Sequence, residues 1–72
     1  MIIPDPKANH TDIVFVENYR RRPPVFERGK IMQLSYKNSF GEFYWSYEVA
    51  IKRPAPSRGY RLFVGDNQIE KI

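Results

Sequence analysis

Along residues 42–52 the odd positions read Phe43, Trp45, Tyr47, Val49 and Ile51, and the even ones are mostly polar or small. Alternation of this kind is the mark of a half-buried β-strand, which sends successive side chains to opposite faces. One face would carry the core. The other leaves Tyr44, Glu48 and Lys52 for solvent or a partner. The same reading extends outward. Residues 12–17 form a β-branched run bounded by acids and predict a first strand. In residues 30–37, Met32, Leu34 and Tyr36 share a face and predict a second. Asn38-Ser39-Phe40-Gly41 is rich in turn formers and predicts a short hairpin into the aromatic strand. Tyr60, Leu62 and Val64 alternate inward in a fourth strand, and residues 69–72 supply a short fifth after a Gly65-Asp66-Asn67-Gln68 turn. Gly29, Gly41, Gly59 and Gly65 are expected at strand ends.

No segment has a helical period and no repeat is present. The expected fold is therefore all-β: a small, strongly bent antiparallel sheet or SH3-like barrel of about five short strands, with an OB-type barrel second. Residues 11–72 form the single domain. Its expected core is Phe15, Met32, Leu34, Phe43, Trp45, Tyr47, Val49, Ile51, Tyr60, Leu62 and Val64. Residues 1–10 hold two prolines and no apolar period, which predicts a flexible arm outside the core; removal of residues 1–9 is expected to leave stability nearly unchanged. Ile2 and Ile3 give that arm a small apolar tip for a partner to bury.

With 72 residues and no cysteine, stability must come from eleven aromatic side chains and their aliphatic neighbours. No apolar run approaches the roughly 20 residues of a membrane span, and the first residues lack the regions of a signal peptide. The expectation is a soluble protein of the cytoplasm. Charge is uneven: ten basic residues face three acids between Arg20 and Arg61, whereas the flanks hold two against five. A basic middle with acidic ends suits a negatively charged partner, either nucleic acid or an acidic protein surface.

Catalytic and metal chemistry find little here. His10 stands alone in the arm, and Glu42 and Glu48 lie roughly 20 Å apart along one strand, too far for a paired acid and base. Phosphate-binding glycine loops and nucleophile elbows are absent from the sequence. The expectation is a binding protein, not an enzyme, with no cofactor or metal.

Binding candidates are clearer. Arg20, Arg21 and Arg22 precede Pro23 and Pro24, so three planar donor forks sit on a stiffened loop; the alternative is a solvated loop that aids solubility. Arg53, Arg58 and Arg61 make a second basic group around Pro54 and Pro56, again either a positive face or ordinary surface charge. Tyr44 and Phe63 are expected to face away from the core, either to stack on bases or anchor an interface, or to fill a minor cluster.

The run from Thr11 through Val16, then Tyr19-Arg20-Arg21-Arg22-Pro23-Pro24, and on to the aromatic strand, at this overall length, resembles small Xanthomonas phage regulators that bind the host RNA polymerase. The resemblance implies binding to bacterial polymerase, inhibition of promoter-dependent initiation by weakening the hold of the σ factor, and read-through of terminators. It implies no site residue, so the partner-binding candidates above come from residue chemistry alone. A basic barrel that binds DNA or RNA directly is the second reading, with a phage-type inhibitor of another host protein or nuclease third, and nucleic acid is also possible within a polymerase complex. A monomer with no membrane attachment is expected.

Overall fold

A computed structural model of the chain describes residues 2–72. It is all-β: β1 (Ile13–Asn18), β2 (Val25–Ser39), β3 (Glu42–Ile51), β4 (Tyr60–Gly65) and β5 (Ile69–Lys71), with one 3-10 turn, Asp66–Gln68, ahead of β5. The strands form a single antiparallel sheet in the order β4-β3-β2-β1-β5. Among the described residues no helix is long and apolar enough to cross a membrane.

Connectivity alone requires the sheet to curl. β4 and β5 are its two edges, yet only the three residues of the 3-10 turn separate Gly65 from Ile69. Four residue steps reach at most about 14 Å, whereas the edges of a flat five-stranded sheet lie about 19 Å apart. Tyr19 reports the same bend, because its hydroxyl accepts the Phe63 N–H of β4 at 3.3 Å from the far end of β1. The bent sheet is as expected, but its hydrogen-bond ladder stays open between β4 and β5 and does not close into a barrel.

The inner face carries Val14 and Val16 of β1, Ile31 of β2, Tyr47, Val49 and Ile51 of β3, Leu62 and Val64 of β4, and Ile69 of β5, all buried. Leu34, Trp45 and Tyr60 pack partly buried against them. Three expected core residues are corrected. Phe15 is 37% exposed because β1 is apolar in both phases, and its pairing sets Val14 against Gly29 and so turns the valines inward. Met32 is only half-buried because it is the extra residue of a β-bulge: Ile31 opposes Val49 and Gln33 opposes Glu48. The bulge reverses the phase of β2, so Ile31 faces inward before it and Leu34 and Tyr36 after it. Phe43 is 46% exposed because it lies where the β2–β3 hairpin projects past β1 and β4, and it stacks on Tyr36 at 5.6 Å between ring centroids.

Strand β2 also begins earlier than its pattern suggested and runs straight through Gly29. A Cβ at that position would lie 2.4 Å from Val49 Cγ1 and 3.2 Å from Ile51 Cδ1. Here glycine marks close packing across a strand, not a strand end.

The expectation that residues 1–10 add nothing to the core is corrected as well. Residues 2–10 form no helix or strand, but Ala8 is fully buried. Trp45 Nε1 donates to the Pro4 carbonyl at 2.9 Å, the Lys7 N–H donates to Tyr47 Oη at 2.9 Å, and the Thr11 N–H donates to the Ile31 carbonyl at 2.8 Å. A single curled sheet has an apolar concave face and no second layer to cover it. This segment is the cover, and a cover needs contacts along the chain, not periodicity.

Candidate partner-binding surface

Antiparallel pairing puts the β1–β2 connection, residues 19–24, and the β3–β4 connection, residues 52–59, at the same end of the sheet. Two of the candidate arginines, Arg21 and Arg53, meet there on Glu27. Its half-buried carboxylate accepts from Arg53 Nη2 at 2.9 Å to each oxygen, from Asn18 Nδ2, and from Arg21 Nη1 at 3.4 Å. Asn18 is fully buried, donates to Tyr60 Oη and accepts the Arg20 N–H at 3.0 Å, so one amide holds both the root of the arginine loop and the start of β4. The Arg20 guanidinium lies 4.8 Å from the Tyr60 ring centroid and that of Arg53 lies 5.5 Å from it.

These contacts divide the arginines by role. Arg53 is committed to Glu27 and Tyr60 and acts as a strut between the two loops. Arg20 and Arg21 are anchored at one point each while their side chains stay at the surface, and Arg22 and Arg58 are exposed with no ion pair among the described residues. Arg61 is set apart from Arg53: it lies on the outer face of β4, where its Nη1 donates to Glu48 at 2.7 Å. Tyr44 and Phe63 are both exposed on that outer face, Tyr44 opposite Lys37 on the projecting hairpin and Phe63 opposite Glu48. Neither joins the arginine end.

Hydrogen bonds from Asn18 and then Arg53, with the nearby positive charge, hold the Glu27 carboxyl below its ordinary 4.5. A carboxyl whose folded value is depressed adds stability that is complete above the unfolded value and is lost as pH falls through the folded one. Urea unfolding from pH 7 to pH 3 is therefore expected to show less acid loss in Glu27→Gln than in the parent, the difference opening below about pH 4.5. Identical acid profiles would remove Glu27 as the hub of this end.

One exposed residue escaped the sequence reading. Phe40 and Gly41 form the two-residue turn of the β2–β3 hairpin with φ of 51° and 84°, and Asn38 Oδ1 accepts the Gly41 N–H at 3.1 Å. Phe40 is fully solvent-exposed in a left-handed conformation that favours Gly, Asn or Asp. The available signal was a large aromatic in a turn position where its shape is a disadvantage. His10 is exposed, and among the described residues no group of three or more His, Cys, Asp or Glu is placed to hold a metal ion.

The arrangement is a small β-sheet with arginines at one end and an aromatic hairpin at the other, on a body 46 Å long. Comparison with protein-family models, with curated proteins and with solved structures returns no match to this chain.

Proposed function

We propose that this chain is a phage-type transcription regulator: a monomeric binding protein, not an enzyme, that acts in the host bacterial cytoplasm on RNA polymerase. It inhibits promoter-dependent initiation by weakening σ-factor binding and lets polymerase pass terminators. The sequence resemblance supplies the partner. The structural observation that supports it is the arginine loop itself, whose backbone is anchored by Asn18 while Arg20, Arg21 and Arg22 project from it. An anchored loop loses little freedom on docking, and guanidinium forks suit carboxylates on a protein surface.

Changing Arg20, Arg21 and Arg22 together to Ala is expected to leave the fold intact, since an exposed pair such as Arg21–Glu27 contributes at most about 1 kcal/mol. Binding to purified RNA polymerase should weaken about tenfold or more, chiefly through a slower association rate at low salt. The triple Lys variant should fall between, because lysine keeps the charge and loses the bidentate fork. Binding kinetics at two salt concentrations and a promoter-dependent transcription assay measure this. A triple Ala variant that binds and inhibits like the parent would make the loop a solvated one, and a parent that ignores polymerase would end the reading altogether.

A further inference from the structure

The outer face of the sheet carries a basic depression that the arginine loop does not share. Its volume is about 380 Å³, and it is lined by Ile13, Arg28, Gly29, Lys30, Ala50 and Lys52. Pairing explains the cluster. Lys30 stands between Ile13 on β1 and Ala50 on β3, and Arg28 stands beside Phe15. Lys52, two residues beyond Ala50, falls on the same face next to Arg28. Like charges on neighbouring strands of one face are destabilising. Glu27 and Glu48 are occupied by Arg21, Arg53 and Arg61, no ion pair among the described residues involves Arg28, Lys30 or Lys52, and no acid lines the depression. The nearest acids by register are Glu17, two residues beyond Phe15 on the same face and opposite Phe26, which makes no ion pair among the described residues, and Glu48, two residues before Ala50, which is paired with Arg61.

We infer that this depression binds a single strand of nucleic acid through its phosphodiester backbone. Three uncompensated cations around an apolar floor provide the charge complementarity. The strip spans three strands, about 10 Å across, the width of one chain and not of a duplex. Phe15 and Ile13 are partly exposed along its edge, and an aromatic face beside a cationic groove is the usual platform for a base. The inference stands apart from polymerase binding, because it concerns the outer face of the sheet and not the arginine loop, and it is tested without polymerase.

Fluorescence anisotropy with a labelled twelve-residue oligothymidylate tests it. The parent is expected to bind with a log K against log salt slope of about −2, since three phosphate contacts on a single strand give about 0.7 each. Lys30→Glu with Lys52→Glu should lower affinity more than tenfold and flatten that slope, while the melting temperature holds or rises as like-charge repulsion is relieved. Lys30→Gln with Lys52→Gln, a gentler change, should give an intermediate loss. The triple Ala variant of Arg20, Arg21 and Arg22 should keep parental oligonucleotide affinity, and the Lys30/Lys52 variants should keep polymerase affinity. Parental binding by both Lys30/Lys52 variants would overturn the assignment. So would equal affinity for a duplex of the same length or for polyphosphate, which would show a generic polyanion surface.

Discussion

Tyr47→Ala is expected to remove a large share of this protein's stability and to unfold it far below the parent's melting temperature. Tyr47 is the largest fully buried side chain, and its hydroxyl donates to Asp66 Oδ1 in the 3-10 turn while accepting the Lys7 N–H. One ring thus joins the sheet, the covering segment and the turn that bridges its two edges. Truncating a buried aromatic costs about 3–5 kcal/mol, and a domain of this size has a total stability of roughly 4–11 kcal/mol. Tyr47→Phe keeps the packing and loses the hydroxyl contacts, so a smaller loss of about 1–3 kcal/mol is expected. The two variants also separate by pH. Burial first, and the Asp66 carboxylate second, push the Tyr47 hydroxyl up from 10.0 to about 12. The folded state therefore keeps a proton that the unfolded chain releases, and stability complete below pH 10 is lost as pH rises towards 12. Tyr47→Phe should lack that alkaline decline. Urea unfolding at several pH values from 8 to 11.5 measures it, and parallel decline in parent and Tyr47→Phe would refute the assignment.

Deleting residues 1–9 is expected to cost about 2–4 kcal/mol, the sum of a lost small buried side chain and several hydrogen bonds. Ala8 leaves the core, Tyr47 loses the Lys7 N–H, and Trp45 loses the Pro4 carbonyl. For a chain of this length the melting temperature should fall on the order of 10–25 °C. Trp45 emission in the folded state should shift to the red as its ring becomes wetter. An unchanged melting temperature would restore these residues to the status of a free arm. The comparison is sharp because the local sequence argues for no effect and the tertiary contacts argue for a large one.

Strands β3 and β4 were legible from the sequence because one phase of each is continuously apolar while the other is broken by polar residues, Ser46 and Glu48 in β3 and Arg61 in β4. Trp45, Tyr47, Val49 and Ile51 leave one way to bury the strand, and Leu62 with Val64 does the same. The all-β class and the bend followed from the number and shortness of such segments. The concentration of arginine near residues 20–22 was equally plain, since charge needs no fold to be counted.

Tertiary structure decided the rest where the local pattern was degenerate or the determinant was distant. In β1 both Phe15 and its valine neighbours suit a core, and only pairing with β2 chose between them. The bulge at Met32 and the strand through Gly29 depend on what Val49 and Ile51 occupy across the ladder. At the candidate surface, sequence proximity grouped Arg53, Arg58 and Arg61, but pairing sent Arg53 to Glu27 and Arg61 to Glu48. The same pairing gathered Arg28, Lys30 and Lys52, which no local motif unites. Alternation along a strand is a property of its own residues; register, bulges and the cover over a concave face are properties of what lies opposite, and a single strand does not carry them.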